Sequence, residues 1–134
     1  MISHHTALIY TMVLVSAADG DMTDAELVVM GDIIRTLPVF TDYDPEMLSR
    51  ATADCAALLS AEGGFDSVIE IIGNSLPERL RETAYVLACD VVAADLAADQ
   101  GELHLLEMLR NHLAIDRLAT VAIERAARAR NATV

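Results

Sequence analysis

Apolar residues recur along most of the chain at the spacing of an amphipathic helix, whereas alternating, strand-like stretches are weak. The first helix is predicted over residues 3–18, with Leu8, Met12 and Val15 on one face. Its apolar run, residues 7–18, is too short for a membrane span of ~20 residues. No Lys or Arg precedes the run, as one would in a signal peptide. We therefore interpret this segment as a buried helix and expect no transmembrane segment.

A capping box marks the start of the second helix. Thr23 is followed three residues later by Glu26, the arrangement in which a hydroxyl and a carboxylate each accept a backbone N–H. Pro38 is predicted to end the helix, because proline cannot continue it. The helix carries an apolar ladder: Leu27, Met30, Ile33, Ile34 and Leu37.

Turn signals then delimit a third and a fourth helix. Asp44 and Pro45 predict an N-cap followed by a first-turn proline. Gly63 and Gly64 separate the third helix from a short fourth one over residues 65–72. The apolar positions of the third helix are Met47, Leu48, Ala51, Cys55, Leu58 and Leu59.

Three more helices complete the chain. The fifth is predicted over residues 77–94 with Ser75 as its N-cap, and its almost entirely apolar C-terminal half indicates burial on most sides. The sixth begins after Asp99 and the seventh is capped by Asp116. Connections are short throughout, so the prediction is an all-α bundle of about seven helices forming one domain over residues 1–134.

An internal repeat relates the two acidic turns of the chain. Asp19 aligns with Asp95, 76 residues later, and the same offset aligns a glutamate seven residues after each. The aligned identical residues are Val15, Ala17, Ala18, Asp19, Glu26 and Leu27 with Val91, Ala93, Ala94, Asp95, Glu102 and Leu103. A duplicated unit of helix, acidic turn and capped helix explains this pattern.

The aspartates and glutamates of these turns differ in how easily helix structure explains them. Glu26 and Glu102 are at the third helical position, where a carboxylate satisfies backbone donors and the helix dipole. Asp19 and Asp95 follow the C-terminal end of a helix, where the dipole disfavours an anion by ~0.3–1 kcal/mol. A bound cation, an arginine or the amides of the next helix would compensate that cost.

Oxygen donors are clustered in both turns, as hard cations such as Ca²⁺ or Mg²⁺ require. Asp21 adds a carboxylate to the first turn, and Asp99 adds one to the second. The turns are not EF-hand loops: aligning Gly20 with the loop glycine puts Val15 and Ala17 at ligand positions. The predicted metal ligands are therefore defined by the acidic residues alone.

The composition and net charge of the chain limit the kinds of molecule that it is expected to bind. The 134 residues are 54% hydrophobic and carry a net charge of −12, with arginine as the sole strongly basic residue type. Such an acidic surface repels phosphate backbones, so nucleic acid is not expected as a partner. Cations and basic protein surfaces are the natural partners, although an acidic surface also serves solubility alone.

Recognised catalytic motifs are absent from the sequence: it has no nucleophile–histidine set, no Gly-rich phosphate loop and no Glu-x-x-His spacing. We therefore expect a protein that is not an enzyme. Cys55 and Cys89 lie in apolar patterns and are predicted to be buried free thiols, as suits a reducing cytoplasm. His4 and His5 are interpreted as a frayed terminus rather than as metal ligands.

The stretches "SAADGDMTDAELVVMGDII" and "VAADLAADQGELHLLEMLRNHLAID" resemble the TerB family of tellurite-resistance proteins. Members carry an Ala-Asp-Gly turn followed by a glutamate both early and late in an all-helical domain. The resemblance implies a role in tellurite resistance and stress response, with acidic residues suspected of binding a divalent metal. Carried over by position, the implied ligands are Asp19, Glu26, Asp95 and Glu102, to which the chemistry of the turns adds Asp21 and Asp99.

Two functions follow as hypotheses. The first is a non-enzymatic, cytoplasmic TerB-like domain that binds Ca²⁺, Mg²⁺, Mn²⁺ or Zn²⁺ through its acidic turns. The second is a helical interaction module, whose acidic turns are only helix caps and whose apolar surface docks a second copy or another protein.

Overall fold

The computed structural model describes residues 2–18, 22–94 and 100–134, and this part of the chain is all-α, as predicted. Three 3₁₀ turns, Pro38–Phe40, Pro45–Met47 and Glu78–Leu80, join or precede helices. The α-helices are α1 His4–Ser16, α2 Asp24–Thr36, α3 Leu48–Leu59, α4 Gly64–Ser75, α5 Arg81–Ala94, α6 Gln100–His112 and α7 Arg117–Arg130.

Helix α1 forms the centre of the bundle. Every residue from Ala7 to Ser16 is buried, and the helix packs against α3, α4 and α5. The two hydroxyls in this run are satisfied inside the helix: Thr11 donates to the carbonyl of Ala7 and Ser16 to that of Met12. The predicted buried helix is therefore confirmed. Among the described residues, none of the helices combines the length and apolar character needed to cross a membrane.

Helix α5 is the second central element and contacts α1, α2, α6 and α7. Its C-terminal half is largely buried as predicted, with Ala88 and Val91 fully enclosed. Asp90, the one charged residue there, accepts a hydrogen bond from Arg130 at 2.6 Å. That ion pair ties the end of α7 to α5.

Helices α2 and α6 occupy equivalent places in the sequence. Asp24 and Gln100 begin them, and Thr36 and His112 end them, so both bounds are 76 residues apart. Leu27, which belongs to the predicted apolar ladder of the second helix, and its counterpart Leu103 are both 48% exposed. The matching bounds agree with a duplicated unit, which stays a prediction.

Two details at helix ends differ from expectation. Ser75 does not cap the fifth helix; it ends α4, and its hydroxyl accepts the backbone N–H of Ile2. Pro77 is extended and precedes the 3₁₀ turn Glu78–Leu80, so the fifth helix begins at Arg81 and not at the predicted residue 77. His5 is not frayed either: Ser3 caps α1, and the His5 ring packs against Phe40.

A close approach of backbone explains the glycine pair between α3 and α4. Gly63 has a φ of +68°, the left-handed region that favours glycine. A Cβ on Gly64 would lie 2.4 Å from the carbonyl oxygen of Leu58 and 2.6 Å from that of Leu59. The fourth helix is also longer than predicted, since it continues to Ser75.

Candidate functional site

Of the six predicted metal ligands, the structure describes two. Asp19, Asp21, Asp95 and Asp99 lie outside the described residues. Glu26 and Glu102 are the third residues of α2 and α6, the position predicted for both. What can be examined of the candidate site is therefore the environment of these two glutamates.

Glu26 is held in a complete capping box. Its Oε1 accepts the backbone N–H of Thr23 at 2.8 Å, and the Thr23 hydroxyl oxygen accepts the backbone N–H of Glu26 at 3.1 Å. The side chain is nevertheless only 2% exposed, although most capping glutamates lie at the surface. Helix capping accounts for the residue type at this position, but it does not require such deep burial.

Glu102 is buried to the same degree, with an exposed fraction of 1%. Both of its carboxylate oxygens are shielded from solvent. Taking a carboxylate out of water costs several kcal/mol unless it is paired, hydrogen-bonded or bound to a cation. The burial of the Glu102 carboxylate at the start of α6 therefore requires compensation, as does that of Glu26 at the start of α2.

The donor chemistry of these positions suits a hard divalent cation, because carboxylate oxygens are the ligands such ions prefer. The described part of the chain contains no group of three or more His, Cys, Asp or Glu residues placed to hold a metal ion. A complete coordination shell at Glu26 or Glu102 would have to include donors from the neighbouring turns.

The chain matches one known protein family over most of its length. The family model described as "Tellurite resistance protein TerB" matches residues 5–125. The chain belongs to the TerB family. No curated protein and no solved structure gives a significant match to it.

The two cysteines of this TerB-family domain are buried free thiols, as predicted. Burial raises the pKa of Cys55 and that of Cys89 to about 12, so both thiols stay protonated at neutral pH. A cysteine binds a metal ion as its thiolate, so these neutral, enclosed thiols fit a role in the core.

A second site, not predicted from the sequence, lies between α5, α6 and α7 of the TerB-family domain. An open cavity of about 680 Å³ is bounded there by apolar side chains together with Arg110, Glu124 and Arg128. Arg128 lies in the last turn of α7. Its neighbours in the cavity are far apart in sequence, so periodicity within one helix could not have revealed them.

Proposed function

We propose that this TerB-family domain is a non-enzymatic cytoplasmic protein of tellurite resistance and stress response, which binds a divalent cation through its two acidic turns. In the first turn, the proposed ligands are Asp19, Asp21 and Glu26. In the second turn, they are Asp95, Asp99 and Glu102. Ca²⁺, Mg²⁺, Mn²⁺ and Zn²⁺ are the candidate ions, with the oxygen-rich donor set favouring the first three.

One observation carries the proposal: two glutamates at the same helical position, each following an acidic turn, are 2% and 1% exposed. A capping carboxylate functions equally well at the surface, so helix capping alone leaves this double burial unexplained. A cation would offset the cost of removing both carboxylates from water. It would also neutralise Asp19 and Asp95, which follow helix C-termini.

Thermal unfolding with and without each cation tests the proposal on the full chain after removal of bound metal by EDTA. A ligand at a hundredfold excess over its Kd should add about 2.7 kcal/mol to the free energy of unfolding. Circular dichroism follows the transition, and calorimetric titration gives the stoichiometry. The absence of any stabilisation by all four cations would refute the proposal.

Glu26→Gln is the sharpest variant, because glutamine still forms a capping box but removes the negative charge. The metal-free variant should melt near the wild type, while its stabilisation by the cation should be lost or greatly reduced. Glu102→Gln makes the same test in the second turn. Glu70→Gln, an exposed position on α4, is the control with the same charge change and should keep the full response.

A helical interaction module is the second candidate function, because α7 presents large apolar side chains to solvent. Leu118 is 81% exposed and Val121 is 53% exposed. In this case a second copy or another protein covers α7, and the acidic turns serve as helix caps. Light scattering should then show a homodimer that Leu118→Ser dissociates; a monomer at all concentrations would exclude the homodimer.

A further inference from the structure

The cavity between α5, α6 and α7 has the size and the lining of a small-molecule site. Its volume of about 680 Å³ falls within the range of roughly 300–1,000 Å³ typical of ligand pockets. Apolar side chains dominate its wall, among them Val92 of α5, Leu106 of α6 and Ala127 of α7. Part of the wall comes from residues 127–133, beyond the end of the TerB match at residue 125. The cavity is therefore partly built outside the portion that the family model matches.

A hydrogen-bonded cluster fixes the polar side of this cavity. Tyr85 is fully buried, and its hydroxyl donates to Oε2 of Glu124 at 2.5 Å. Nη1 of Arg110 approaches the same oxygen at 3.5 Å. Burial, followed by the hydrogen bond to Glu124, raises the pKa of Tyr85, so the phenol remains a donor. One carboxylate oxygen thus holds a buried hydroxyl and a guanidinium together, which orients Arg110 from the cavity wall.

The charged side chains around the cavity differ in how many partners they have within the protein. Glu124 already receives the hydroxyl of Tyr85 and the guanidinium of Arg110. Arg110 presents five N–H donors; one contacts Glu124 at 3.5 Å, and the guanidinium also interacts with Tyr85 and Glu107. Arg128 is exposed and has no ion pair within the described residues. Glu107 also lines the cavity, and its negative charge partly offsets the positive charges of Arg110 and Arg128. Two guanidinium groups therefore line the polar side, and one of the two carboxylates there, that of Glu124, already accepts from Tyr85 and Arg110.

We propose that this cavity binds a small amphipathic carboxylate, with its apolar tail between α5, α6 and α7 and its headgroup at Arg110 and Arg128. A guanidinium pairs with a carboxylate through two parallel N–H donors, which a neutral alcohol or an amine cannot match. The apolar wall supplies burial for an alkyl chain. The binding is independent of the acidic turns and of any cation held there.

Calorimetric titration of the full chain with octanoate, octylamine and octanol, each as a monomer in EDTA-containing buffer, tests the headgroup. Octanoate should bind with one-to-one stoichiometry and at least tenfold more tightly than octanol, the ratio expected for a charge-assisted pair. Octylamine should bind more weakly than octanoate. Equal or tighter binding of the amine or the alcohol would overturn the proposal, as would no binding of octanoate.

Two arginines of α7 provide a matched pair of variants. Arg128→Gln removes a headgroup partner and should weaken octanoate binding about tenfold. Arg125→Gln makes the same charge change at an exposed position of the same helix outside the cavity lining, and should leave the affinity unchanged. Equal weakening by both would indicate general charge attraction and refute the site.

Filling the cavity gives a second and independent test. Ala93 is half-buried on the wall, so Ala93→Phe occupies the space of the tail without replacing a core side chain. The variant should lose octanoate binding and retain a wild-type circular dichroism spectrum. In the wild type, octanoate should shift the backbone amide resonances of Cys89 and Leu106. Retained affinity in folded Ala93→Phe would place the ligand elsewhere and refute the proposal.

Discussion

The turn between α3 and α4 requires a residue without a side chain at Gly64. A methyl group at Gly64 would overlap the carbonyl oxygens of Leu58 and Leu59, which are backbone atoms and cannot turn aside. Gly64→Ala should lower the free energy of unfolding by ~1–3 kcal/mol, a typical cost of overpacking. Chemical denaturation followed by circular dichroism measures this loss.

Gly31→Ala is the matched control for that substitution. Its new methyl group would meet the guanidinium of Arg35 at 3.3 Å, and this flexible side chain can move. Because Gly31 is inside α2, alanine should stabilise the protein by ~0.5–1 kcal/mol. Equal effects of the two substitutions would show that crowding at Gly64 is not what matters.

The buried thiols predict how stability depends on alkaline pH. Burial raises the pKa of Cys55 from its ordinary value of 9.0 to about 12. Above pH 9 the unfolded chain loses thiol protons that the folded protein keeps, so stability should fall as the pH rises from 9 towards 12. Cys55→Ala should be less stable at pH 7 but lose less stability over this interval. Parallel pH dependences of the two proteins would contradict this origin.

At the scale of elements, the start of α2 was predictable because local chemistry determines it, whereas the N-cap predicted at Ser75 was wrong. The bounds of α2 follow from Thr23 and Pro38, which act within a few residues of the helix. The exposure of Leu27 was not predictable, because it depends on which neighbours α2 meets. The same holds for the hydrogen bond between Ser75 and Ile2, which joins positions remote in sequence.

The candidate sites also have features that a local motif predicts and features that depend on how the helices pack. The third helical position of Glu26 and Glu102 follows from a short motif, whereas their burial depends on packing that the motif does not encode. The cluster of Tyr85, Arg110 and Glu124 takes one residue from each of three helices. No local spacing relates those three residues, so the cavity emerges only when α5, α6 and α7 are packed together.

The cap of α2 can be tested with two threonines of the same region. Thr23→Ala removes the hydroxyl that accepts the N–H of Glu26 and should cost ~1 kcal/mol. Thr36 ends α2, and its hydroxyl donates to the carbonyl of Asp32 within the helix. Thr36→Ala should therefore be close to neutral. Urea unfolding of the metal-free protein compares them, and equal losses would contradict a specific role for the cap.

At the scale of the whole molecule, charge imbalance opposes compaction. The net charge of −12 makes the folded protein repel itself, and salt screens that repulsion. In EDTA, raising NaCl from about 20 to about 500 mM shortens the distance over which charges repel one another. The melting temperature should therefore increase. Choline chloride should act equally if screening is the cause. A constant or falling melting temperature would contradict the expectation.

The complete burial of Ala7 to Ser16 has a consequence during synthesis of the chain. A helix apolar on all sides has no face suited to water, and its partner α5 ends only at Ala94. At ~5–20 residues per second, the ribosome needs several seconds to make the intervening chain. During that time α1 lacks one of the three helices that it mainly packs against. We therefore expect the earlier docking of α3 and α4 to cover part of this segment before α5 is made.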